Sequence, residues 1–221
     1  MRSRSRNALA FVAAVMVLAL ATVPVLASST TWKLYSFNTS GRSLRSQTVP
    51  MASNGSASFT FPKTPDASYL LSTAAPSIGG GSLSATAGIT DTGTGTTYAY
   101  YPSPSSPAMV GLYFETKAAG AFNPSDYWWS GSSRVSLETL VGTSARLSTA
   151  LDGANWTNYY GKPGNQAGTY VVNGVTYPSA ADGFAAAVAR ISSWGVSFGG
   201  GSFYANGVGT PTGSAVFTLT P

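Results

Sequence analysis

Hydrophobic positions along most of the chain recur at a spacing of two, in short runs bounded by Gly, Pro, Asn and Asp. That period predicts half-buried strands, because successive side chains on a strand point to opposite faces. TWKLYSF (31–37), ASFTF (57–61), YLLST (69–73), SLSATAGI (82–89), MVGLYFET (109–116) and RVSLETLV (134–141) read this way, and MVGLYFET is the most apolar of them. In TYVVNGVTY (169–177), Asn173-Gly174 separates two β-rich arms and predicts a hairpin closed by a type I′ turn. One segment changes period. From an N-cap at Ser179, with Asp182 in the first turn, Phe184, Ala187, Val188 and Ile191 follow helical spacing, and Gly195 is placed to terminate the helix. Val196 and Phe198 then open a strand, and AVFTL (215–219) closes the chain. The fold class expected is mainly β, an antiparallel jelly-roll-like sandwich with one short helix at about 179–193.

The first 27 residues stand apart. MRSRSRN is basic, residues 8–27 are apolar and uncharged, and Val25-Leu26-Ala27 fits a signal-peptidase site before a polar stretch. This predicts a secretory signal peptide over 1–27, a single domain over 28–221, and a secreted, extracellular protein. Retention of the segment as an anchor is the competing expectation, since about 20 apolar residues could span a bilayer. The leader also changes the charge argument. Three of the twelve Lys and Arg lie in it, so the chain after it carries nine against seven Asp and Glu, a net of +2. The remaining charges are scattered, which argues against nucleic-acid partners.

Cysteine and histidine are both absent. The chain therefore relies on its core without disulfides, and zinc, copper and haem sites lack their usual ligands. Triads that need histidine are excluded. Calcium would suit carboxylate oxygens, but no calcium-loop pattern occurs, and no metal or cofactor is predicted.

The glycine-rich stretch SFGGGSFYANGVGTPTG (197–213) comes near a dinucleotide fingerprint. A phosphate loop leads from a strand into a helix. Here the predicted helix comes first, the glycines lie between two strands, and the third glycine is one residue late. Tight bends at a sheet end are the expectation.

In the second half, NWTNYYG (155–161), a hairpin, FAAAVARI (184–191), WGVSF (194–198) and SAVFTL (214–219) follow in order. This order resembles the laminin IV type A–like and related galactose-binding-like β-sandwich modules of secreted proteins. Val188 stands where the family's helix usually has Leu, and the terminal strand lacks the Leu-Asp-Asn-Val core often found there. The resemblance implies a jelly-roll module that binds glycans or extracellular partners and implies no catalysis.

The aromatic stretches carry the candidate chemistry. In DYWWSGSS (126–133), alternation sends Trp128 to the face opposite Tyr127 and Trp129. Indole faces pack on the C–H faces of sugar rings while polar neighbours fix the hydroxyls. NWTNYYGKPGN (155–165) adds Trp156, Tyr159 and Tyr160 beside amides, and Tyr204 supplies a third wall. Trp128, Trp129, Trp156, Tyr159, Tyr160 and Tyr204 are thus the candidate ligand-binding residues, with core packing as the alternative for each tryptophan. The function expected is non-catalytic carbohydrate binding. The alternatives are a structural or adhesive surface protein and a glycoside hydrolase, which needs two converging carboxylates; Glu115, Asp126, Glu138 and Asp152 share no motif.

Overall fold

The structure is a computed structural model, and it describes residues 30–37, 44–76, 78, 81–93, 95–101, 107–116, 121–200 and 207–221. The predicted signal segment lies outside them. Among the described residues, sixteen strands and one α-helix occur in the order β1 (Trp32–Phe37), β2 (Leu44–Val49), β3 (Ala57–Thr60), β4 (Ala67–Ser72), β5 (Ser82–Asp91), β6 (Ala99–Tyr100), β7 (Met109–Thr116), β8 (Tyr127–Ser130), β9 (Val135–Ser136), β10 (Ser144–Ala150), β11 (Trp156–Asn158), β12 (Tyr170–Val172), β13 (Val175–Tyr177), α1 (Ala180–Val188), β14 (Ile191–Gly199), β15 (Val208–Gly209) and β16 (Ala215–Thr220). All pairings between named strands are antiparallel. The large sheet runs β11-β8-β7-β14-β4-β1-β2, with β6, β9 and β15 attached, and the small sheet runs β10-β5-β16-β3. The chain crosses repeatedly between the two, as in a jelly roll.

Alternation builds the layer between the sheets. Along β5, Leu83, Ala85, Ala87 and Ile89 are buried, and along β16, Ala215, Phe217 and Leu219 are buried. They meet Leu34, Leu70, Leu112, Val196 and Phe198 of the large sheet in one core. Phe198 and Phe217 join the sheets edge to face, with centroids 4.9 Å apart at 88°. Such a pair adds about 0.5–1.5 kcal/mol beyond the area it buries.

Three local expectations need correction. RVSLETLV is not one strand. Val135–Ser136 pairs with β7, Leu137–Leu140 is a 3-10 turn, and Val141 makes a single parallel bridge to Ile89. Leu137 and Leu140, three apart, fall on one side of that turn and are both fully buried, so the period-two pattern lost to a period of three. The helix is capped by Ser179 as expected, its Oγ accepting from Asp182 N at 3.0 Å, but it ends at Val188. Ile191 opens β14, where Trp194, Val196 and Phe198 point inward in alternation. Gly195 therefore sits within the strand, and a Cβ on it would overlap the Leu70 carbonyl oxygen of β4. The third is β2, a pairing strand that hydrophobic alternation did not reveal; its first five residues are exposed.

The hairpin at 169–177 forms as predicted, with Asn173 at φ +50° and Gly174 at φ +76°. In the glycine-rich stretch, Val208–Gly209 pairs with β4 and β6 and leads to β16 without a helix. Among the described residues no helix is long and apolar enough to cross a membrane.

Candidate functional site

The YWWS strand, β8, divides its aromatics between two faces. Trp128 points into the core, fully buried, with its indole edge-on to Phe184 at 4.9 Å and its Nε1–H donating to Ser125 O at 2.7 Å. Tyr127 and Trp129 point to the outer face of the large sheet. Register assembles their neighbours there: Trp129 pairs with Tyr113, Tyr113 with Gly195, and Gly195 with Leu71. Tyr113 and Trp129 lie 4.9 Å apart and Tyr69 and Tyr113 4.8 Å apart. Leu71, Tyr113 and Trp129 are buried at the centre of this cluster, and Tyr35, Tyr69, Tyr127 and Tyr159 pack around it half-buried.

The cluster continues past the β11 edge as a band of accessible rings. Phe122, 49% exposed, stacks on Tyr127 at 5.8 Å and 17° and meets Tyr159 edge-on at 4.9 Å. Tyr159 contacts Tyr160 at 5.4 Å, and Tyr160 contacts Tyr177 at 5.3 Å with their hydroxyls 3.2 Å apart. A 3-10 turn at Pro124–Asp126, capped by Asn123 Oδ1 on Ser125 N, sets the entry to β8. Asn158, fully buried, holds the Tyr159–Tyr160 corner by accepting from Tyr160 N and Lys162 N at 3.0 Å each.

One carboxylate belongs to this face. Glu115, on β7 beside Tyr127, accepts from the Tyr113 hydroxyl at 2.9 Å. Burial raises its pKa above the ordinary glutamate range, and the Tyr113 bond only partly opposes this. The phenols respond in kind. Burial first, then the Glu115 charge, pushes Tyr113 far up and raises Tyr35 and Tyr127, so all three remain neutral donors. The arrangement offers apolar ring faces, hydroxyl donors and one acceptor.

Asp126 does not join Glu115. It is buried and accepts from Thr116 Oγ1 at 2.7 Å, and Thr116 points to the opposite side of β7 from Glu115. Asp152 caps a turn through Ala154 N, and Glu138 is exposed on the 3-10 turn. Among the described residues no group of three or more His, Cys, Asp or Glu could hold a metal ion.

Of the six candidates read from sequence, the structure gathers three. Tyr159 and Tyr160 lie in the exposed band and Trp129 lies beneath it on the same face. Trp128 and Trp156 present no surface to a ligand. Trp156 is fully buried, packs on Phe114 at 4.9 Å, and donates its Nε1–H to Ala150 O at 2.8 Å, so both indoles are core. Tyr204 lies outside the described residues. Phe122, Tyr127, Tyr113, Tyr69, Tyr35, Tyr177 and Glu115 were not among the candidates. Alternation from Trp129 could have found Tyr127; Tyr35, Tyr69, Tyr113 and Glu115 reach this face through cross-strand register, whereas Phe122, in the loop before the Pro124–Asp126 turn, and Tyr177, on the β12–β13 hairpin, join the band through ring contacts.

No family model, characterised protein or solved structure matches this chain.

Proposed function

We propose that this chain is a secreted, non-catalytic binding module of the galactose-binding-like kind, and that it takes neutral carbohydrate on the aromatic band of its large sheet. The observation that carries the reading is the contiguous array Tyr127–Phe122–Tyr159–Tyr160–Tyr177, with Phe122 half exposed at its centre. Sugar C–H faces stack on such rings, and the tyrosine hydroxyls and the Glu115 carboxylate supply hydrogen bonds that fix orientation. No covalent step is involved.

The test is titration of the purified protein against neutral polysaccharides, comparing Phe122→Ala, Tyr127→Ala and Tyr159→Ala variants whose folding is checked by circular dichroism. Each lost stacking contact of about 1 kcal/mol weakens binding roughly five- to tenfold. Binding to none of the glycans, or unchanged affinity in all three variants, refutes the reading.

A second reading, an extracellular structural protein that assembles through its sheet, is favoured by one observation. β2 ends the large sheet's order, and Phe37 and Leu44, opposite one another in register, are 42% and 55% exposed. An open edge beside exposed apolar groups is a template for pairing with another chain. Concentration-dependent sedimentation without glycan binding would decide for it.

A further inference from the structure

The β12–β13 hairpin stands outside both main sheets as a two-stranded sheet of its own. A lone hairpin is marginally stable, so it depends on side-chain contacts with the rest of the domain. The chain has no cysteine with which to tie it down. One of the contacts it makes is a pair of tyrosines. Tyr177 ends β13, and Tyr160 lies on the corner after β11. Their ring centroids are 5.3 Å apart and their hydroxyl oxygens only 3.2 Å apart, so the two C–O bonds converge.

The buried Asn158 sets both rings. Its Oδ1 accepts from Tyr160 N at 3.0 Å, and its Nδ2 donates to the Tyr170 hydroxyl at 2.8 Å. Tyr170 pairs with Tyr177 across the hairpin and stacks on its ring at 5.4 Å and 20°. Asn158 thus fixes Tyr160 directly and Tyr177 through Tyr170. Two groups held in this way react with each other far faster than two that must meet by diffusion. Tyr160 and Tyr177 are both half-buried, so a diffusing oxidant reaches their rings. Tyr170 and Tyr113, by contrast, are buried, with their hydroxyls engaged by Asn158 and Glu115.

We infer that Tyr160 and Tyr177 form a modification site, at which oxidation joins the two phenols as a dityrosine cross-link. Each phenol gives up one electron and one proton and becomes a phenoxyl radical. The radicals couple through the ring carbons beside their hydroxyls. Those two carbons lose their hydrogens as protons, the oxygens take up two protons from water, and both rings regain aromaticity. One C–C bond forms, and two electrons and two protons leave in all. The electrons pass to an external one-electron oxidant, the oxidised haem of a peroxidase acting twice, and the protons pass to water. In the product the hydroxyls lie side by side about a twisted biaryl bond. The pair already has adjacent hydroxyls and ring planes 59° apart. The bond closes the chain between residues 160 and 177 and constrains the hairpin as a disulfide would. The inference is independent of carbohydrate binding, because it is read as a change of mass rather than of affinity.

The experiment treats the full chain at low concentration with a peroxidase and limiting hydrogen peroxide, and maps the chymotryptic peptides by mass spectrometry. The expected product runs as a monomer on a denaturing gel. Its dominant joined peptides link Tyr160 to Tyr177 and are lighter by two hydrogens than their sum. Tyr177→Phe keeps the ring and loses the hydroxyl, and should lower dityrosine fluorescence roughly tenfold or more. Tyr101→Phe, at a ring that is 51% exposed, should leave it unchanged. The cross-linked chain should melt several degrees higher than the untreated one. The peptide map is taken on the unsubstituted protein, so it locates the bond whether or not a variant folds. Joined peptides that omit Tyr160 or Tyr177, cross-links mainly between chains, full fluorescence in Tyr177→Phe, or an unchanged melting temperature overturns the inference.

Discussion

Trp128 and Tyr127 are neighbours in sequence, yet they should behave as residues of different kinds when removed. Trp128→Ala takes away an indole with no exposed surface and its edge contact with Phe184 at 4.9 Å. Removing a buried tryptophan costs about 3–5 kcal/mol in transfer and cavity terms. The Ser125 carbonyl also loses the donor it holds at 2.7 Å, adding about 1 kcal/mol. The loss is about 5 kcal/mol, against a total stability of roughly 5–15 kcal/mol for a domain. At about 2–4 °C per kcal/mol for a chain of this size, the melting temperature should fall by roughly 10–20 °C. Tyr127→Ala removes a half-buried ring whose main partner, Phe122, is itself half exposed. Its cost should stay near 1 kcal/mol, roughly 2–4 °C. Urea and thermal unfolding followed by circular dichroism measure both. If the two variants differ by less than about 1 kcal/mol, or if Tyr127→Ala is the more damaging, the division of β8 between core and outer face is wrong, and the site built on that division goes with it.

Further outcomes follow from other parts of the fold. Gly195→Ala should cost about 3 kcal/mol, because the new methyl group meets the Leu70 carbonyl in the middle of the large sheet; an unchanged urea midpoint would contradict the β14–β4 register. Glu115→Gln should stabilise the protein at neutral pH. Because burial raises the folded-state pKa of Glu115, the native state holds its proton longer than the unfolded chain does. Native stability therefore declines as pH rises from the ordinary glutamate range, about 4.3, through that raised value. The variant escapes this decline, so its advantage should be present at pH 7 and vanish near pH 3.5, as read from urea midpoints at the two pH values. Ser179→Ala should lose about 1 kcal/mol with its bond to Asp182 N, whereas Ser179→Asp should retain most of it, as measured by thermal unfolding.

Elements with one buried face were legible in the chain. β5 and β16 alternate buried and less buried residues along their length, and that alternation is what a period-two pattern reports. The Asn173-Gly174 turn and the Ser179 cap were legible for a different reason: each is local chemistry, complete within a few residues. The helix end was misplaced because Phe184, Val188 and Ile191 satisfy helical spacing while Trp194, Val196 and Phe198 satisfy strand spacing, and the two patterns meet without a breaker. Ile191 went to β14, which is anchored on both sides by β7 and β4, a contact that no local pattern reports.

The same reasoning explains why the candidate site was only half visible. β7 is buried on both faces over most of its length, from Val110 to Phe114, so MVGLYFET reads as a continuous apolar run and hides the fact that Tyr113 and Glu115 share the outer face with Trp129. Tyr69, Tyr113, Trp129 and Tyr159 come from four separate strands or strand ends, and each in isolation is an aromatic residue of unknown facing. What sorts them is register, and a slip of one residue in any pairing would exchange the faces of that strand. Trp128 and Trp129 show the consequence most directly. Sequence states that they must oppose one another, and it is silent on which of the two faces the core. That choice was made by Phe184 on α1 and by the Ser125 carbonyl, which capture the Trp128 indole and so commit Tyr127 and Trp129 to the outer face. The aromatic band is in this sense a product of core packing: the ring contacts that would meet a ligand on one side of β8 are fixed by an indole buried on the other.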